Sequence, residues 1–252
     1  MHPKEVLAIN IATVRTQIAE AAQRVGRRPE EILLVAVSKT QPLESIKLAY
    51  ELGITHFGEN RVHEALPKVA AWNSPDVHWH MIGHLQTNKA NKVIGQFDCI
   101  HSIDSLDLAE RLNHSIASSN LASSNLASSN LTDGQRQPVL LQINISGETS
   151  KQGLEPSRVI SLAHQIAALE HLEIQGLMTL APLVDNPEKA RPVFQALYEL
   201  RNRLQNEVPE CSWQHLSMGM TNDYQVAIEE GATIVRIGRA IFGERIKKGT
   251  FQ

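Results

Sequence analysis

The first periodic pattern in the chain is helical. Leu7, Ile11, Val14, Ile18, Ala21 and Val25 recur at alternating spacings of four and three. That spacing lays one apolar stripe along a helix, and Gly26 is the expected stop. The stripe is long enough for a coiled coil of about three heptads, but packing on its own domain is the simpler use.

After this helix the pattern alternates between short apolar runs and amphipathic stretches. The runs Ile32–Ser38, His56–Gly58, His78–Ile82, Cys99–Ile103, Pro138–Ile145, Leu172–Leu180, His215–Ser217 and Thr233–Ile237 read as strands. Helices are predicted over Leu43–Leu52, Arg61–Ala71, Asn88–Ile94, beginning over Ser105–Asn113, over Ser157–Leu169, about Arg191 to Asn206, Asp223–Glu230, and in a short segment after Gly238. Ser105 or Asp104 caps the fourth of these helices, and Pro192 places the start of the long one near Arg191. Regular strand–helix alternation implies a parallel sheet. Eight units in this length favour a closed (β/α)8 TIM barrel over an open doubly wound sheet. No GxGxxG and no GxxxxGK[ST] occurs, which argues against a dinucleotide or P-loop site.

One segment breaks the pattern. Residues 118–131 read SSNLASSNLASSNL, a five-residue unit that fits neither the helical nor the strand period. Ser and Asn favour turns and caps. The segment reads as a low-complexity surface insertion, with a partner-binding loop as the alternative. Subtracting it leaves about 235 residues, enough for one barrel. The expected organisation is a single domain over 1–252.

Composition narrows the classes further. The 252 residues carry 24 basic and 27 acidic side chains, so a nucleic-acid binder acting through bulk charge is not expected. Two cysteines, Cys99 and Cys211, exclude a disulfide framework. Cys99 lies in an apolar run and reads as a small buried hydrophobe. There is no signal-like start and no apolar run long enough to span a bilayer, so a cytoplasmic protein is expected.

In a barrel of this kind chemistry sits at the C-terminal ends of the strands, and phosphate is often held after strands seven and eight. Those loops read Ser217-Met218-Gly219-Met220-Thr221-Asn222-Asp223 and Arg236-Ile237-Gly238-Arg239. Each offers a glycine, backbone N–H groups and a following helix; Ser217, Arg236 and Arg239 add donors and charge. Lys39 ends strand one, where it either snorkels to solvent or serves as an amine for a Schiff base. A lysine and a phosphate site on one face suggest pyridoxal phosphate, although a sugar-phosphate aldolase uses the same two parts. His78 and His80 share a strand face and His84 follows, a spacing that could bind zinc; no third ligand is fixed nearby and no metal is expected. His84, Glu59 and Asn60 are mouth candidates with equally plain structural roles.

Several blocks carry a resemblance. Val35-Ala36-Val37-Ser38-Lys39-Thr40, Phe57-Gly58-Glu59-Asn60-Arg61 and the run from Trp79 through Gly83-His84-Leu85 to Lys89 are similar to the pyridoxal phosphate homeostasis protein family. So are Gly147 to Gly153, Gly176 to Pro182, Leu216 to Asp223 and Arg236 to Gly243. The resemblance implies a fold type III barrel like the N-terminal domain of bacterial alanine racemase. It implies that Lys39 carries pyridoxal 5′-phosphate as an internal aldimine. It further implies that Ser217, Gly219, Gly238 and the backbone near Arg239 hold the phosphate, that Met218 is part of the cofactor-binding set, that Arg236 faces the pyridine nitrogen, and that Asn60 lies beside the ring. Arg239 stands where the family often has a small hydroxyl residue, and the serine-rich repeat is outside the family pattern.

The expected function is cofactor binding in vitamin B6 and amino-acid homeostasis, by a monomer without a known reaction, with apo-enzymes or a regulatory protein as partners. The alternative is an amino-acid racemase. An arginine donor keeps the ring nitrogen unprotonated and weakens the electron sink. A two-base racemase also needs a second base besides Lys39, and Tyr224 is the mouth candidate among Tyr50, Tyr198 and Tyr224.

Overall fold

The computed structural model describes residues 2–72, 74–121, 135–148 and 151–244. Its strands are β1 (Leu33–Val37), β2 (His56–Glu59), β3 (His78–Met81), β4 (Cys99–Ile103), β5 (Gln137–Ile143), β6 (Leu172–Thr179), β7 (His215–Ser217) and β8 (Ile234–Ile237). They pair in chain order, all parallel, and β8 closes on β1 through Leu33↔Ile234 to Ala36↔Ile237. The expected (β/α)8 barrel is the fold observed.

The helices are α1 (Pro3–Arg24), α2 (Leu43–Glu51), α3 (Val62–Ala71), α4 (Leu106–Leu121), α5 (Val159–Ala167), α6 (Arg191–Glu207), α7 (Tyr224–Glu229) and α8 (Arg239–Phe242). Alternation along each strand divides the apolar side chains into two cores. Outward residues such as Ala36, Phe57, Ile100, Leu141 and Leu177 pack with the helices. A smaller cluster of Val35, Cys99, Leu140, Met178 and Ile234 forms a separate core. Their shared parity with Arg236 on β8 and with His101 on β4 places this cluster in the barrel interior.

α1 buries Leu7, Ile11, Val14, Ile18 and Ala21 as the stripe predicts. Val25 is exposed instead, because the helix ends at Arg24 and Gly26 turns away at φ +69°. The helix packs on the last two units of the barrel. Asn10 donates to Ile241 O at 2.9 Å, and Arg24 pairs with Glu229 at 2.7 Å.

One helix prediction and the start of the repeat need correction. Residues expected to form an α-helix after β3 form a 3₁₀ helix, Thr87–Lys92. Its sequence TNKANK buries only Ala90, so it has no apolar stripe to stabilise an α-helix, and its Asn side chains compete for backbone groups. α4 begins where expected, with Ser105 Oγ accepting from Leu108 N, but runs on to Leu121. The first residues of the repeat, 118–121, therefore continue a helix; residues 122–131 lie outside the described residues. Among the described residues no helix is long and apolar enough to cross a membrane.

Candidate functional site

β1 ends at Val37, and the chain then turns so that Gln41 N donates to Ser38 O. Lys39 lies half-buried in this turn, and Thr40 adopts φ +64°, a left-handed conformation that a β-branched residue rarely takes. A buried network holds the turn in place. Ser38 Oγ donates to Glu59 Oε1 at 2.7 Å, and Lys68 Nζ donates to the same oxygen at 2.7 Å and to Ser38 O at 3.0 Å. Glu59 therefore works as the structural anchor of the Lys39 turn. Lys68, on α3, was not singled out by sequence, because it meets Glu59 only once α3 packs back on β2.

Asn60 follows β2 half-buried, and its Oδ1 is buried with no hydrogen-bond partner. The backbone of Gly83 presses on Asn60: a Cβ at Gly83 would lie 2.2 Å from Asn60 O. The loops after β2 and β3 are thus fixed against each other by the missing side chain.

Opposite them, the β7 and β8 loops interlock. Met218 N donates to Ile234 O, and Arg236 N donates to Gly219 O. Gly219 has φ +90°, and a Cβ there would sit 2.6 Å from Ala227 Cβ and 2.8 Å from Tyr224 Cα. Only glycine permits this loop to fold so tightly onto α7. Asp223 Oδ1 accepts from Met220 N at 2.6 Å, and burial pushes the Asp223 carboxyl up. A Cβ at Gly238 would meet Val37 at 3.3 Å, which places the β8 loop beside the end of β1.

The Arg236 guanidinium is buried. Nη1 donates to Ser217 Oγ at 2.5 Å and Nη2 to Thr179 O at 2.8 Å. Burial lowers its pKa to about 10, which still leaves it protonated near neutral pH. Met218 is fully buried in the main core, so only its backbone is available to a ligand. The Arg239 side chain is exposed and donates to Asn222 Oδ1 at 2.9 Å, tying the two loops together. The following helices α7 and α8 span six and four residues, so their dipoles are short and local N–H groups matter more.

The other sequence candidates divide. His84 pairs with Asp104 at 3.1 Å and His78 with Asp98 at 2.8 Å, so His78, His80 and His84 do not gather as a zinc set. The group with metal-ligating potential among the described residues is His80, Cys99 and His101, inside the barrel. Cys99 is buried and its thiol pKa is pushed up, as befits an inert core residue. Tyr224 is not a mouth residue: it is buried, its hydroxyl donates to Gln17 of α1, and its pKa is pushed up to about 12. Tyr50 packs edge-on against Trp72, and Tyr198 lies on α6 under Arg201. A concavity of about 840 Å³ opens at the other end of the barrel, lined by residues such as Glu31, Thr55, His56, Gln214 and His215 at the strand starts. The chemistry-bearing loops are all at the strand ends, so this concavity is not the candidate site.

Comparison with known proteins fits this arrangement. Residues 9–246 match the family profile described as alanine racemase, N-terminal domain. The chain is 41% identical to the pyridoxal phosphate homeostasis protein of Aquifex aeolicus over 235 residues, covering 93% of this chain and 96% of that one. It is 42% identical to the protein of the same name from Vibrio alginolyticus over 240 residues, covering 94% and 96%. PipY of Synechococcus elongatus, solved with PLP bound, superposes with a TM-score of 0.78 at 34% identity, over 94% of this chain and 100% of that one. An alanine racemase from Clostridium difficile shares the fold, with a TM-score of 0.70 at 15% identity; the match covers 98% of this chain and 59% of the racemase. Matched along nearly its whole length by these relatives, the chain belongs to the pyridoxal phosphate homeostasis protein family, built on the alanine racemase N-terminal domain.

Proposed function

We propose that this chain binds pyridoxal 5′-phosphate at the C-terminal mouth of its barrel and serves vitamin B6 homeostasis as a carrier rather than as a racemase. The observation that carries the reading is the loop pair around Gly219 and Arg236. A glycine-only cradle stands next to a buried, protonated guanidinium and a buried serine hydroxyl. Such a donor set suits a dianionic phosphate and a ring nitrogen acceptor. The unpartnered Oδ1 of Asn60 across the mouth supplies a polar group that a ligand would satisfy. These residues fit the cofactor.

When bound, the cofactor supplies an aldehyde that condenses with a primary amine. Lys39 is the amine in this proposal, presented by the turn that Glu59 and Lys68 lock. Ser217 and the backbone at Met218, Gly219, Gly238 and Arg239 hold the phosphate. Asn60 borders the ring. Arg236 donates and never accepts, so it leaves a facing pyridine nitrogen without a proton. That choice favours holding the group over stabilising a carbanion.

The placement of the tyrosines supports carriage. None of Tyr50, Tyr198 and Tyr224 is available as a second base at the mouth. The relatives' names point the same way. We further propose one domain over the whole chain, a cytoplasmic monomer, and apo-enzymes or a regulatory protein as recipients.

The test is reduction of the reconstituted protein with borohydride followed by peptide mass analysis. A single pyridoxyl adduct on Lys39, lost in Lys39→Ala together with the visible absorbance of the holoprotein, is the expected result. An adduct elsewhere, or none, overturns the reading.

A further inference from the structure

A single file of hydrogen bonds crosses the barrel interior. Ser217 Oγ, which accepts from Arg236, lies 2.9 Å from His101 Nδ1. His101 Nε2 lies 3.0 Å from His80 Nδ1, and His80 Nε2 lies 2.9 Å from His56 Nδ1. His80 and His101 are buried; His56 is half-buried and lines the concavity at the far end. Burial, reinforced by the neighbouring imidazoles, lowers His56 to about 4 and His80 to about 3, and His101 well below the usual range. All three rings are neutral at pH 7.

A neutral imidazole has one N–H and one bare nitrogen. In this file that rule leaves two arrangements. If His101 carries its proton on Nε2, it donates to His80 Nδ1; His80 then donates through Nε2 to His56 Nδ1. Ser217 must then donate to His101, so its hydroxyl is spent. If His101 carries its proton on Nδ1, it donates to Ser217, and every ring in the file carries Nδ1–H. Ser217 Oγ then accepts twice, from Arg236 and His101, and its own O–H is left for another acceptor. A mixture of tautomers would break a buried hydrogen bond.

We propose that His56, His80 and His101 are positioning residues that share one tautomer and so decide whether the Ser217 hydroxyl can donate to a bound anion. The coupling to an anion rests on the phosphate role proposed for Ser217; the shared tautomer does not. Conversion to the anion-ready state is balanced along the file. The Ser217 proton passes to His101 Nδ1, the His101 Nε2 proton to His80, and the His80 Nε2 proton to His56 Nδ1. One proton leaves His56 Nε2 for solvent, and one from the mouth side restores the serine hydroxyl. No imidazole is charged before or after.

A metal at His80, Cys99 and His101 would compete for the same atoms. Against it, the two rings stand at hydrogen-bond distance, the Cys99 thiol is held protonated by burial, and the Arg236 cation lies one serine away.

The experiment is nitrogen NMR of the histidine-labelled full chain, reading which ring nitrogen is protonated. It is recorded without ligand, with inorganic phosphate, and with pyridoxal 5′-phosphate. The expected result is one shared tautomer in the three rings without ligand, and Nδ1–H in all three with either ligand. Ser217→Ala should abolish the ligand response and Ser217→Thr restore it. Differing tautomers, an imidazolium at pH 7, or a ligand response confined to His101 overturns the proposal, as does zinc titration that deprotonates Cys99. If Lys39 is labelled by pyridoxal 5′-phosphate while the tautomers stay unmoved, the coupling fails and the proposed function stands. An unlabelled Lys39 defeats the proposed function, whereas the shared tautomer is read without any ligand.

Discussion

Lys68 Nζ lies 2.7 Å from Glu59 Oε1, and Glu59 has no exposed surface. A carboxylate in that position depends on its ammonium partner. Lys68→Met should therefore destabilise the protein by about 3–5 kcal/mol, measured by urea unfolding. Adding Glu59→Gln removes the stranded charge and should recover most of the loss. A purely additive double variant would show that the two groups do not act as a pair. Because Lys68 also holds Ser38 O, pyridoxal 5′-phosphate labelling of Lys39 should slow in the single variant.

The two loop glycines should differ in kind. Gly219→Ala forces a side chain into φ +90° and within 2.6 Å of Ala227 Cβ. It should cost about 1–3 kcal/mol and abolish cofactor retention on gel filtration. Gly238 has its neighbour at 3.3 Å and no positive φ, so Gly238→Ala should change unfolding by less than about 1 kcal/mol. Equal effects would remove the cradle from the argument.

Acid should destabilise the fold earlier than carboxylates alone would. His56 and His80 titrate at about 4 and about 3 in the folded chain, well below an ordinary histidine, and His215 is lowered too, all mainly by burial. With folded pKa values depressed, the unfolded chain takes up protons first. Stability is full above about pH 6.5 and is lost as pH falls towards 4, with up to about 1.4 kcal/mol per pH unit for each histidine. Asp104 and Asp223, raised by burial, act in the opposite sense at the acid end. A urea midpoint that stays flat between about pH 7.5 and 5.5 would contradict the neutral file.

Holoprotein incubated with L-amino acids in deuterated water should exchange their Cα hydrogens no faster than free cofactor does. The Tyr224 hydroxyl is engaged with Gln17 behind the barrel wall, and the protein lacks it as a base. Rapid exchange, followed by proton NMR, would restore the racemase reading.

The barrel was readable because each apolar run and each amphipathic helix carries its own period. The site was partly readable, since barrel chemistry collects at strand ends and Lys39, Ser217, Gly219 and Arg236 all lie within two residues of one. What the pattern hides is cross-strand geometry. His78 and His80 share a face by parity, but which of them meets His56 or His101 depends on barrel stagger. Tyr224 misled for a related reason: the first residue of a helix that follows a loop can face either side. Here α1 covers it, and that docking is a long-range contact.

The place of α1 in the barrel has a kinetic consequence. Its apolar stripe of Leu7, Ile11, Val14 and Ile18 is synthesised before every element on which the helix packs. On the same helix Asn10 and Arg24 contact Ile241 and Glu229, which lie 231 and 205 residues further along the chain. Until the segments of α7 and α8 are made, the part of the stripe that they cover stays exposed, an interval in which chaperones or a second nascent chain can reach it.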